Sequence, residues 1–124
     1  MKKYYILFLF FLSLISHAQG DEEPVVWATS VNRISDTTVD LQFDATITDK
    51  WHLYSLEEFE DGPLPTEFAF ELDSLKVRLD GPMTSSNPKI EFDDIFEIDL
   101  PFFEYKAQFT QRLEILDPSI EQIS

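Results

Sequence analysis

His52 is the one histidine beyond residue 18, and the chain has no cysteine at all, so the side chains able to do nucleophilic or metal chemistry are few. The histidine stands in Trp51-His52-Leu53-Tyr54-Ser55. A serine-histidine pair could use Ser55, but no nucleophile-elbow sequence surrounds that serine, and successive side chains along a strand point to opposite faces. His52 reads as a strand-edge side chain beside core aromatics. A zinc site would need more His or Cys than are present, so neither a metal nor another cofactor is expected. Carboxylates are plentiful in Glu57-Glu58, Glu60-Asp61, Asp93-Asp94 and Glu97. Their spacing matches no calcium-binding loop, and the chain is short for the enclosed cleft in which paired carboxylates hydrolyse glycosides. These runs read as solvated faces, and no catalytic residue is assigned.

Gly62-Pro63-Leu64-Pro65-Thr66 is a different kind of signal. Two prolines fix φ and remove two backbone donors, which makes this stretch a stiff extended connector leading into Phe68 and Phe70.

The elements that must position these residues are strands. Residues 39–48 place an apolar side chain at every odd position and a polar one at every even position, the period-two mark of a strand with one buried face. Residues 107–115 repeat the alternation, interrupted only by Gln111 on the inner side. Weaker strands read at 25–31, 51–54, 67–72, 75–79 and 90–100. Turn signals separate them at Ser35-Asp36-Thr37, Asp49-Lys50, Asp61-Gly62-Pro63, Asp80-Gly81-Pro82 and Ser85-Ser86-Asn87-Pro88. Strands at roughly ten-residue spacing with no helical pattern indicate an all-β antiparallel sandwich.

The first eighteen residues have the layout of an export signal. Lys2 and Lys3 precede an apolar run over 4–15, and Ser16-His17-Ala18 makes a small-x-Ala cleavage site before Gln19. The run is too short for a span of about 20 residues, so the expectation is a cleaved signal peptide (1–18), no stable membrane span, and one domain over 19–124. The expected location is the periplasm. A net charge of −15 argues against nucleic acid or anionic lipid as a partner, since both would be repelled. Without disulfides the core depends on apolar burial, and nine of the twelve Phe and both Trp lie beyond residue 18. The acidic stub 19–24 reads as a disordered terminus. After Leu116-Asp117-Pro118, the apolar start at Ile120 and Ile123 does not develop into a closing strand, so the sandwich is expected to be incomplete at its C-terminus.

Taken in order, Trp51-His52-Leu53-Tyr54-Ser55, then Gly62-Pro63-Leu64-Pro65-Thr66-Glu67-Phe68-Ala69-Phe70, then 102–115 with Phe109-Thr110-Gln111, the chain resembles the N-terminal periplasmic domain of the DsbD family of thiol:disulfide interchange proteins, in a Bacteroidetes-like version. The resemblance covers essentially everything after residue 18. Its motif positions are Trp51, His52, Tyr54, Gly62, Pro63, Pro65, Thr66, Phe68, Phe70 and Gln111. It implies an immunoglobulin-like sandwich that takes reducing equivalents from a membrane-embedded electron-transfer domain. That domain is fed by thioredoxin, and the sandwich hands the equivalents to periplasmic thioredoxin-like partners, including disulfide isomerase and cytochrome c biogenesis proteins. The working groups of the family are a cysteine pair that exchanges disulfides by thiolate attack, in a segment after the strand ending here near Leu116. An acidic-aromatic cap loop shields that pair, and Asp94, Ile95 and Phe96 stand at its place, Phe96 ahead of Ile95 as the shield. The competing reading makes Phe96 an ordinary core residue of the strand 90–100. Two departures matter: Glu97 stands where the family has glycine, and the cysteines are missing. As written the chain is redox-inert, either a truncated gene product or a degenerate domain kept for docking. The alternative function is a noncatalytic immunoglobulin-like interaction or adhesion module of the cell envelope.

Overall fold

The computed structural model describes residues 23–117. The expected signal peptide, its cleavage site, the stub up to residue 22 and the Ile120-Ile123 segment lie outside the described residues. Within them the chain is all β, with eight strands: β1 (Val25–Arg33), β2 (Thr38–Ile47), β3 (Leu53–Tyr54), β4 (Val77–Leu79), β5 (Thr84–Ser85), β6 (Lys89–Asp93), β7 (Ile98–Phe103) and β8 (Lys106–Ile115). They form two antiparallel sheets. The larger has the order β1-β2-β8-β4, with β5 also on β8, and the smaller has the order β3-β7-β6.

The two sequences with the cleanest alternation, β2 and β8, make the centre of the larger sheet, paired from Thr38↔Glu114 to Thr46↔Lys106. Because facing residues of an antiparallel ladder share a side of the sheet, Val39, Leu41, Phe43, Ala45 and Ile47 come together with Ala107, Phe109, Leu113 and Ile115 on one buried face. On the opposite face cross-strand charges pair instead. Arg112 Nε donates to Asp40 Oδ1 at 2.8 Å and Arg78 Nε to Glu114 Oε2 at 2.8 Å. The guanidinium bond from Arg112 holds the Asp40 carboxyl below the usual carboxylate range, against a smaller upward push from burial.

The sheets meet face to face through Phe103 of β7 and Phe109 of β8, whose rings are 5.5 Å apart in an edge contact. Glu104 and Tyr105 carry the chain from one sheet to the other in two residues. Tyr105 is held at φ 64, and its carbonyl accepts from Ile47 N–H at 2.8 Å. Gln111, the polar break on the inner face, is buried without being orphaned. Its Nε2 donates to Gly81 O and Arg112 O, both at 2.9 Å.

Two expected strands and one expected turn come out differently. Residues 67–72 form no strand beyond one bridging residue at Phe68, although Phe68, Phe70 and Leu72 still point into the core. The segment lies across the inner face and is anchored by its rings. Phe68 is 5.0 Å from Phe43, 5.1 Å from Phe109 and 5.7 Å from Trp27. Residues 90–100 are a hairpin, β6 and β7, because the chain reverses at 94–97. Ser85, the first residue of an expected turn, and Thr84 just before it pair with Phe109 and Thr110 of β8. Not all the inner surface is covered. Val31 and Leu79 of the larger sheet are 41% and 48% exposed, although both lie on its core-facing side by register. Ile90 and Phe92 share a side of the smaller sheet with Pro101 and Phe103, and they too are exposed.

Candidate functional site

The motif residues divide between two places. Phe68, Phe70 and Gln111 belong to the central core just described, as does Trp51, half-buried against it. His52, Tyr54, Gly62, Pro63, Pro65 and Thr66 build a second layer on the far side of the smaller sheet. There Leu100 and Phe102 of β7 are buried although they face away from the larger sheet. A loop from Ser55 to Pro65 folds over them, with Phe59 and Pro63 against Leu100 in a cleft too tight to admit water.

Thr66 closes that loop. Its hydroxyl donates to Tyr54 O at 2.6 Å, its N–H donates to Ser55 O at 3.0 Å, and Ser55 N–H in turn donates to Pro101 O at 3.2 Å. Thr66 is 2% exposed. Because Pro63 and Pro65 have no N–H to satisfy, burying them beside it leaves no backbone donor of theirs unpaired. Gly62 is required for space: a Cβ there would sit 2.8 Å from Phe59 Cβ and 3.6 Å from Ile98 Cδ1. The loop is thereby pressed against the first residue of β7, next to the β6–β7 reversal.

That reversal contains Asp94, Ile95 and Phe96. Asp93 organises it, its Oδ1 accepting from Ile95 N–H at 2.8 Å and from Phe96 N–H at 2.9 Å, while Glu97 N–H donates to Asp93 O at 2.7 Å. Glu97 closes the turn with φ 59. Ile95 is 85% exposed; Phe96 is half-buried and Asp94 exposed. Phe96 is therefore a turn residue, which corrects the reading of it as a core strand residue. Tyr54 lies within reach of this turn. Burial, and then the negative charge of Asp93, raise the pKa of its phenol.

His52 lies at the other end of the layer. Its ring stacks on Phe102 at 4.6 Å, and its Nε2 is 3.4 Å from Glu104 Oε1. Lys89 Nζ lies 3.7 Å from Glu104 Oε2 and 3.0 Å from Glu91 Oε1, and the two carboxylates raise its pKa, Glu91 foremost. Ser55 turns elsewhere, its Oγ accepting from Glu57 N–H at 3.3 Å. The arrangement holds no nucleophile-base pair, and among the described residues no group of three or more His, Asp or Glu side chains converges on a metal position. A wider groove of about 610 Å³ runs beside Asp44, Thr46, Ser86, Lys106 and Gln108. Three of its polar residues bond one another, with Gln108 Nε2 donating to Asp44 Oδ1 at 3.1 Å and Gln108 N–H to Ser86 Oγ at 3.1 Å.

Two features of the site escape sequence reading. Leu100 and Phe102, the floor of the layer, sit in an apolar stretch whose two buried sides look alike in sequence. Asp93, the residue that makes the turn, is one of many acids, and only its position two and three residues ahead of Ile95 and Phe96 distinguishes it. Comparison with protein families, curated proteins and solved structures returned no match for this chain.

Proposed function

We propose that this chain is a docking domain of a cell-envelope thiol:disulfide interchange system, related to the N-terminal domain of DsbD, and that the redox-active sulfurs of the exchange are not carried by its 124 residues. The observation that carries the reading is the 93–97 turn. Glu97 adopts the left-handed conformation that glycine takes at no steric cost, so the backbone keeps the shape that a glycine would give even though the residue differs. Asp93, Ile95 and Phe96 then form an acidic, partly apolar tip braced by the Tyr54–Thr66 layer. Such a tip is suited to rest on the apolar surface around the active site of a thioredoxin-like partner, and it offers contact without electron transfer.

Titration of the isotopically labelled chain with a thioredoxin-like periplasmic domain, followed by amide chemical shifts, tests this. Shifts confined to Tyr54 and 93–97, abolished by Ile95→Asp, are expected. No perturbation at saturating partner, or perturbation unaffected by Ile95→Asp, would refute it. The second reading, a noncatalytic interaction module, is favoured by the absence of any thiol, and binding of a partner with no redox centre at the same tip would support it instead.

A further inference from the structure

The smaller sheet ends in β6, and among the described residues no strand pairs with its outer edge. The direction of its free backbone groups follows from Pro101, which has no N–H and whose carbonyl accepts from Ser55 N–H on the β3 side of β7. In an antiparallel ladder, hydrogen-bonded pairs alternate with non-bonded ones. Ile90 faces Pro101 in register, so it turns its N–H and C=O away from β7, and Phe92, two residues on, does the same. Asp93 has the opposite phase, its carbonyl accepting from Glu97 N–H inside the hairpin. The side chains of the outward pair are bare as well: Ile90 is 65% and Phe92 61% exposed. Free ladder groups and uncovered apolar side chains therefore coincide at the same two residues.

The charge around this edge has one sign. Residues 89–99 contain Glu91, Asp93, Asp94, Glu97 and Asp99 against a single base, Lys89, which is already held between Glu91 and Glu104. We propose that β6 is a strand-addition site for an extended segment of a partner protein in which apolar residues alternate with lysine or arginine. In such additions main-chain bonds supply affinity and alternate side chains supply specificity. Partner residues directly opposite Ile90 and Phe92 share their side of the sheet and are selected to be apolar. Their neighbours fall on the other side, with Glu91 and Asp93, and are selected to be cationic. The same carboxylates reject the competing occupants. A second copy of this chain would bring one acid-rich edge against another, and like charges facing across an interface are unfavourable; charge is a common guard against self-pairing of strand edges. The proposal stands apart from the thiol:disulfide reading, since it requires neither a redox partner nor the tip at Ile95. With five residues in β6, the contact lies at the small end of interface sizes, below about 1,200 Å² in total, so binding is reversible.

Three short synthetic peptides test this on the isotopically labelled chain as the expressing cell processes it: alternating lysine and valine, alternating glutamate and valine, and alternating lysine and serine. Only the lysine–valine peptide should shift the amides of 89–93 and slow hydrogen exchange at Phe92. Its affinity should fall severalfold as salt rises from about 0.01 M to about 0.1 M and the Debye length shrinks from about 30 to 10 Å. Phe92→Lys, which sets a like charge against the peptide, should weaken binding by roughly tenfold or more. Ile90→Pro removes an outward N–H that the β6–β7 ladder does not use, so its circular dichroism should match that of the parent while its affinity falls below that of Ile90→Ala. Ile95→Ser should leave peptide affinity unchanged, which separates this edge from docking at the tip. Equal binding of the glutamate–valine or lysine–serine peptide, no binding of any peptide, or shifts spread over acidic surfaces away from β6 would overturn the proposal. So would a Phe92 amide already protected without peptide, which would place another segment of the same chain or a second copy on the edge.

Discussion

Replacing Phe43 by alanine and Gln42 by alanine, one at a time, tests the register on which the whole core depends. Phe43 is fully buried, with its ring 5.0 Å from Phe68 and 6.0 Å from Phe70. Losing a buried phenylalanine costs about 3–5 kcal/mol from transfer and cavity terms together, and each ring pair of this kind adds roughly 0.5–1.5 kcal/mol beyond its area. Domains of this size have only about 5–15 kcal/mol in total, so Phe43→Ala should remove a third or more of the stability. Gln42, one residue away, bonds only its neighbour Asp44 on the outer face, at 3.2 and 3.3 Å. Its loss should stay within about 0.5 kcal/mol. Urea unfolding followed by circular dichroism and tryptophan fluorescence measures both, provided the slope with denaturant is unchanged so that the midpoint alone reports stability. Equal effects would refute the assignment, because a one-residue slip of β2 would exchange the two faces.

Thr66→Val keeps the shape but leaves the Tyr54 carbonyl without its hydroxyl donor, which should destabilise by about 1–3 kcal/mol and loosen the 55–65 loop to proteolysis; unchanged thermal unfolding would show that the bond is not used. Glu97→Gly relieves the roughly 1–2 kcal/mol of left-handed strain while giving back about 0.4–1 kcal/mol of chain entropy, so a small net stabilisation is expected in chemical denaturation, and a clear loss would contradict the turn geometry. For Asp40, whose folded pKa is depressed chiefly by the Arg112 hydrogen bond, the contribution to stability is present above the unfolded carboxylate value near 3.9 and is lost as pH falls through the lower folded value. Asp40→Asn should therefore be less stable than the parent near pH 7, by no more than about 1 kcal/mol for so exposed a partner, and the two should converge under strong acid. A gap that persists there would assign the effect to packing.

How far the sequence spoke for the structure depends on what each signal measures. Alternation in β2 and β8 marked both side-chain direction and strand structure, since each lies between two neighbours in one sheet, but not which strands those neighbours are. At Phe68, Phe70 and Leu72 the same alternation was right about direction and wrong about pairing. Rings held against a core need no ladder, and period two cannot tell a strand from an extended segment. The reversal at 94–97 was invisible because its turn-forming residue is an aspartate among many and its left-handed residue is a glutamate, where propensity favours glycine or asparagine. For the same reason the tip residues Asp94, Ile95 and Phe96 could be named only through resemblance. The burial of Leu100 and Phe102 follows from a loop that returns to cover them, a long-range fact with no local mark.

The β2–β8 ladder has a consequence for the order in which the protein can assemble. Asp40 and Arg112 meet across 72 residues of chain, and the contact on which the two sheets close, Phe103 with Phe109, lies at the same late end of the described sequence. Closing so long a loop must precede any reward from the contacts it makes. The β1–β2 hairpin, joined by a tight local turn, can form as soon as it emerges, but it must wait with Leu41, Phe43 and Ile47 bare until β8 arrives. During that interval the surplus of carboxylates is what keeps neighbouring nascent chains apart. Slowing the delivery of β8, by a stalled ribosome, should therefore produce aggregates built on the N-terminal hairpin, and added salt, which screens the carboxylates, should make them form sooner.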